Sequence, residues 1–216
     1  MSAETIKAIT IRQIWAQCVA TGIKSWETRS WYTQYRGKLL IHSAQKKVDK
    51  KIAIAFQKAM GNESEMVPHL VDIFEQAFND SFPRGYIVAV ADLTNCFLMV
   101  DSYEQYAWKL SGKIDSSLLC SSKDDLLKKS GFDTGQVDDP KGFLAVPVGI
   151  DKKGTLREAI AITDQTEQER ILGNWIPGNY AWQLKNVLQQ KPIKCKGQLG
   201  LWNPSEEILN EVIQCK

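Results

Sequence analysis

Three charged side chains stand close together in Gly22-Ile23-Lys24-Ser25-Trp26-Glu27-Thr28-Arg29, a GxKxxExR spacing. Lys24 is a compact cation whose pKa falls on burial, so it could clamp a phosphate, act as a base or serve as a nucleophile. Glu27 could accept a proton, bond a base edge, or hold Lys24 or Arg29 in place. Arg29 offers a planar fork for phosphate or for stacking. The competing reading of all three is a salt-bridge network that only holds the fold. Asp92 sits in an apolar run, where a carboxylate is costly unless partnered; a structural and a catalytic carboxylate both fit it. Trp31, Tyr32 and Tyr35 lie in a polar stretch with Arg36, and they read as stacking candidates for bases. His42, at the end of an apolar run, reads first as a satisfied core histidine and second as a donor behind the site.

The elements that must position these residues follow from periodicity. Thr5–Ile11 reads as a strand with apolar residues on both faces. Ile14–Thr21 reads as a short helix stopped by Gly22. Lys24–Arg29 alternates as a strand, Tyr32–Gly37 as a loop, and Lys38–Ser43 as a strand. Helical spacing is expected over 45–60 and Pro68–Asn79. Pro83–Gly85 reads as a turn and Tyr86–Leu98 as the longest strand. Residues 111–140, rich in Ser, Gly and Asp, read as an excursion or loop. Phe143–Ile150 is a candidate strand and Thr163–Leu172 a capped helix. Tyr180–Val187 and Lys191–Gly197 read as two closing strands joined by a short turn. A helix starts at Ser205, with Glu206 and Glu207 at its positive end.

The charge is distributed unevenly. The net formal charge of the 216 residues is +2, yet residues 1–51 carry +7, residues 52–170 carry −7, and residues 171–205 carry +4 with four lysines and no acid. Six of the seven tryptophans lie in the two basic segments, with only Trp108 outside them. Interleaved cations and rings suit a polyanion with stackable bases. The competing reading is core tryptophans beneath a solvated lysine face.

With 44% apolar and 24% charged residues, the composition is that of an ordinary globule. It excludes a collagen, a coiled coil and a wholly disordered chain. No apolar run approaches the ~20 residues of a membrane span. The opening MSAETIKAIT lacks the basic-then-apolar pattern of a secretory signal. Five widely spaced cysteines without a CxxC pair, and only two histidines, give no zinc spacing. No GxGxxG or P-loop spacing is present. The expected setting is cytoplasmic and reducing, with no metal, cofactor or membrane.

The GxKxxExR stretch continues as Ser30-Trp31-Tyr32, Arg36-Gly37 and the run Leu39–His42. With Ala8–Gln17, Gly85–Cys96, Tyr180-Ala181-Trp182 and Gly197–Trp202, it resembles the ASCH (activating signal cointegrator homology) domain of the PUA-like superfamily. The resemblance implies an α+β fold: a small mixed or antiparallel PUA-like β-barrel with flanking helices. It implies one domain over 1–216, with 100–170 as an insertion. It also implies a cleft lined by Lys24, Glu27 and Arg29. The family includes amidohydrolases that deacetylate acetylcytidine, members linked to RNA cleavage, and non-catalytic coactivator modules.

The leading expectation is therefore RNA or single-stranded nucleic-acid binding through Lys24, Arg29, Trp31, Tyr32, Arg36 and Trp182. The second is a hydrolase acting on RNA or a nucleoside-like small molecule, with Lys24, Glu27 and Asp92 as its catalytic residues. Lys24 matches the amidohydrolases' lysine and Asp92 lies near their acidic residue, but Glu27 stands where they carry threonine. The third is a protein-interaction module whose partner the sequence does not name.

Overall fold

The computed structural model describes residues 5–48, 73, 76, 81–101, 107–110 and 145–214. The helices expected over 45–60 and Pro68–Asn79 fall almost wholly outside that set, although Ile73 and Gln76 within the second are helical. The loop expected over 111–140 also lies outside the described residues.

Period-two alternation forms the first strands. In β1 (Lys7–Ile11), Ile9 and Ile11 enter one core and Ala8 the core on the opposite face. The same division holds in β3 (Gly37–Ser43): Leu39 and Ile41 face the first core and Leu40 the second. The two strands pair in parallel, Lys7 opposite Leu39 through Ile11 opposite Ser43. Between them in sequence lie α1 (Trp15–Ala20) and β2 (Trp26–Arg29). Gly22, at φ +76°, takes the left-handed conformation that ends the α1 segment.

The remaining elements are β4 (Tyr86–Val100), β5 (Ala107–Leu110), β6 (Ala145–Ile150), β7 (Leu156–Ala161), a 3₁₀ turn (Ile162–Asp164), α2 (Glu167–Leu172), β8 (Tyr180–Lys194), β9 (Leu201–Trp202) and α3 (Glu206–Gln214). Thr166 caps α2, its hydroxyl accepting from Glu169 N at 3.2 Å. The β4 strand shares one edge between β3 and, further along, β7; its other edge pairs with β8 throughout. The β8 strand in turn carries β2 on its far side over Tyr180–Gln183. Two long strands that each hold different neighbours at their two ends curl the mixed sheet into an α+β half-barrel. The larger core lies inside the curl with α1, and the smaller one lies under α3.

One 15-residue strand, β8, replaces the two strands expected over Tyr180–Val187 and Lys191–Gly197. The strand runs through the expected turn with bulges on either side. Asn186 takes φ +48° where Val90–Asp92 faces Leu188–Lys185, and Pro192 falls where Ile87–Ala89 faces Ile193–Gln189. At each place β8 carries extra residues that need no ladder partner, so asparagine and proline are accommodated. The described strands of 100–170 belong to the sheet: β7 pairs in parallel with β4, and β6 joins β5 to β7.

Candidate functional site

The α1 segment, its Gly22 stop and the start of β2 fix the motif. Past Gly22, Lys24 N donates to Cys18 O at 2.9 Å, folding the chain back against α1. Ser25 is pinned from α2, with its N–H and its hydroxyl each donating to Glu169 Oε1 at 2.6 Å. The β2 strand then puts Glu27 and Arg29 on one face by its two-residue period.

The three charges form a chain. Lys24 is 1% exposed; its ammonium donates to the Trp26 carbonyl and lies 3.4 Å from Glu27 Oε2. Arg29 Nη2 lies 2.9 Å from Glu27 Oε1 and also donates to Thr10 O at 3.1 Å. Side-chain exposure rises along this chain from 1% at Lys24 to 8% at Glu27 and 26% at Arg29. Arg29 is thus the accessible cation, and Lys24 braces Glu27 from below.

The chain forms one wall of a cavity of about 670 Å³, a size common for small-ligand sites. Thr10 and Arg12 from β1 and the residue after it, Trp15 from α1, Asn174 after α2, and Gln198–Gly200 before β9 complete its polar and aromatic lining. Arg12 is exposed and makes no ion pair with a described residue. Two buried polar atoms of this wall, Thr10 Oγ1 and Arg29 Nε, find no partner among the described residues.

Asp92 is not part of this wall. Lys38 Nζ lies 2.7 Å from Asp92 Oδ1 and Asn186 donates to Oδ2 at 2.9 Å; the Lys38 bond holds the carboxyl below its ordinary range. The partner that an apolar run demanded is therefore supplied across the β3–β4 pair.

Trp182 is 0% exposed and belongs to the core, so its ring is not a surface for stacking bases. It lies opposite Glu27 in the β2–β8 register, and Trp31 packs edge-on against it at 4.6 Å. Tyr32 is covered by the Arg157 guanidinium at 3.7 Å and meets Tyr180 edge-on. Tyr35 spends its hydroxyl on the carbonyls of Thr5 and Lys38. Arg36 is exposed, but its guanidinium bonds Thr33 O, Tyr35 O and Asn95 Oδ1. His42 is 1% exposed, with Nε2 3.3 Å from Cys195 O, and burial lowers its pKa. The aromatic face of the cavity is supplied by Trp15.

Two further buried carboxylates, neither among the residues expected above, brace the fold. Glu169 is one. Asp151 is the other: buried, it accepts from Lys153 N, Thr155 N, Arg157 Nε and Tyr180 Oη at 2.8–3.0 Å. Burial alone would raise its pKa, and the bonds from Thr155, Arg157, Lys153 and Tyr180 overcome burial and hold it well below the carboxylate range. Among the described residues no group of His, Cys, Asp and Glu side chains converges as a metal site would.

A curled mixed sheet with a charged cavity of about 670 Å³ against β1 and β2 makes this an α+β half-barrel domain. The family model for the ASCH domain matches residues 9–194, and the chain belongs to that family, which is associated with RNA binding and with coactivators. Activating signal cointegrator 1 of Homo sapiens and of Mus musculus are each 27% identical over 123 residues, 56% of this chain. The chain spans only 20% of the length of these curated relatives. Solved structures similar to it include the crystal structure of ASCH from Zymomonas mobilis, 10% identical with a TM-score of 0.40, covering 97% of this chain and 94% of that one. No helix among the described residues is long and apolar enough to cross a membrane.

Proposed function

We propose that this domain binds RNA or another single-stranded nucleic acid by taking one nucleotide into the cavity beside β1 and β2. The observation that carries this reading is Arg29, held by Glu27 and Thr10 with part of its guanidinium turned to a cavity of about 670 Å³. Arg12 at the rim adds a second cation for phosphate, and Trp15 offers a ring beside the base. The open aromatic groove expected from Trp31, Tyr32 and Trp182 has little support, because those rings are used inside the protein. A reducing, cytoplasmic setting is part of the proposal, in keeping with the free thiols of Cys18, Cys96 and Cys195.

The test is an equilibrium titration of the protein with a short single-stranded RNA and with a mononucleotide. Replacing Arg29 by alanine removes charge-assisted bonds, which are equivalent to a loss of about tenfold to a hundredfold in affinity. Equal affinity in the wild type and in a folded Arg29→Ala variant overturns the reading.

Hydrolysis of an acetylcytidine-like nucleoside has less support. Lys24 is engaged by Trp26 O and Glu27, and Asp92 by Lys38 and Asn186. Release of acetate from acetylcytidine, abolished by Lys24→Met, would restore that reading. Binding to a coactivator partner with no affinity for RNA would replace both.

A further inference from the structure

Past β2 the outer edge of β8 has no strand partner among the described residues, and lysines run along it. The β4 strand pairs along one edge of β8, whereas β2 covers the other only from Tyr180 to Gln183. Leu184 N reaches Ser25 O at 2.8 Å; beyond it the outer edge of β8 has no strand partner among the described residues. Lys185, Lys191, Lys194 and Lys196 are spaced along this stretch, and all four are exposed.

These lysines differ from others nearby. Lys7 donates to Asn203, Lys24 meets Glu27 and Lys38 meets Asp92, but none of the four forms an ion pair with a described residue. Asp92 lies opposite Lys185 in the register, and its oxygens are taken by Lys38 and Asn186. Alternation decides the face of the last two. Ile193 is buried with Val212 of α3, and Cys195 packs on the same cluster beside Glu211. Lys194 and Lys196 therefore face away from the acidic helix.

The lysine track is anchored to the cavity. His42 Nε2 holds the Cys195 carbonyl, and Gly197 is packed so closely that a Cβ there would lie 2.3 Å from His42 Cε1 and 2.7 Å from Thr10 Oγ1. Thr10 is cavity wall, and Gln198, Leu199 and Gly200 continue that wall directly after the lysines. Leu199, 99% exposed at the mouth, is an apolar side chain held in water there.

We propose that the open edge of β8 and the segment that follows it, from Lys185 to Lys196, carry the sugar-phosphate backbone of the nucleic-acid strand whose single nucleotide enters the cavity. The proposal rests on the cavity reading and extends it to the flanking nucleotides. Unpaired cations and open backbone N–H groups both suit phosphate oxygens and read no base, so this segment gives affinity without sequence preference. An extended protein strand could instead pair with this edge; the run of cations, with no acidic partner among the described residues, favours a polyanion.

The test compares the wild type with the triple variant Lys191→Ala, Lys194→Ala, Lys196→Ala. All three positions are exposed, so its thermal melt should match the wild type. The probes are a labelled oligouridylate of about ten nucleotides and uridine monophosphate. For the triple variant, oligouridylate affinity should fall about tenfold or more near 50 mM salt. The dependence of log affinity on log salt should become shallower by about 2, because each phosphate contact on a single strand contributes ~0.7. Affinity for uridine monophosphate should not change. Unchanged oligouridylate affinity and slope in the triple variant overturn the track. So does a wild type that ignores oligouridylate while binding a poly-glutamate peptide. Arg29→Ala separates the two sites: loss of the mononucleotide, with the salt slope shallower by no more than the ~0.7 of one contact, leaves the track standing. Full mononucleotide affinity in Arg29→Ala removes the cavity reading instead.

Discussion

Replacing Lys24 with methionine keeps most of the aliphatic stem and removes the ammonium. In the folded protein that change leaves the Trp26 carbonyl without its donor and Glu27 Oε2 without its partner at 3.4 Å. Breaking a buried pair that has no other support costs about 3–5 kcal/mol. Here Arg29 still holds Glu27 Oε1 at 2.9 Å, so the carboxylate is not abandoned. The expected cost is therefore nearer that of a buried acceptor left unsatisfied, about 2–3 kcal/mol. Against a total stability of ~5–15 kcal/mol the variant still folds, and its Tm drops by about 5–10 °C. Urea melts followed by tryptophan fluorescence measure this. Adding Glu27→Gln to Lys24→Met removes the half-paired charge and should recover part of the loss, giving a coupling of ~1 kcal/mol or more. Nucleic-acid affinity should also fall in Lys24→Met, by less than in Arg29→Ala, because Arg29 loses only its brace. A destabilisation below ~0.5 kcal/mol with no coupling to Glu27 refutes the reasoning and frees the Lys24 ammonium for direct chemistry.

Asp151 has a depressed folded pKa, so its contribution is present above the unfolded carboxyl pKa of ~3.9 and is lost as pH falls towards the folded value. Wild-type stability should decline below about pH 4, whereas Asp151→Asn should start lower and decline less, as read from acid titrations of the urea midpoint. Burial pushes the Cys18 thiol up to about 12 and the Cys96 thiol up to about 11, so neither should react with iodoacetamide at neutral pH until the protein is unfolded, as mass spectrometry will show. Replacing residues 111–140 with a short Gly/Ser linker should leave one cooperative unfolding transition, and insoluble or molten protein would place core residues in that stretch.

Legibility in the sequence followed locality. The strands around Ile9, Leu40 and Val88 were legible because a two-residue alternation needs only neighbours. The Gly22 stop and the alternation of Glu27 with Thr28 brought the motif charges to one place for the same reason. The expected break between Val187 and Lys191 is no turn, because pairing with β4 carries the chain through it as one bulged strand, and that pairing is not local. Leu156–Ala161 has two alanines, a single β-branched residue and no two-residue alternation, so it does not read as a strand alone, and its partners are β4 and β6. Trp182 stood in a basic segment, and composition does not say which face of a strand a ring occupies. Glu169 acquires its role from Ser25, 144 residues away, so nothing near it in sequence marks it.

The gradient of exposure along Lys24, Glu27 and Arg29 separates a brace from a contact, and Arg29→Lys tests that separation. Arg29 spends Nη2 on both Glu27 Oε1 and Thr10 O, while Nη1 makes no hydrogen bond with a described residue. A guanidinium can therefore keep its structural bonds and still offer a donor to an anion in the cavity. Lysine has one nitrogen on a flexible stem. It can satisfy Glu27 or reach a ligand phosphate, and the fixed carboxylate wins. Arg29→Lys should therefore lose under ~1 kcal/mol of stability, since the partly exposed ion pair survives. It should nonetheless lose about tenfold in affinity for single-stranded RNA, the equivalent of one charge-assisted hydrogen bond. If Arg29 only braces the fold, Arg29→Lys binds like the wild type. If any cation near the mouth suffices, Arg29→Lys again binds fully while Arg29→Ala does not. Either result would remove the guanidinium fork from the binding argument and leave Arg12 as the cation to test.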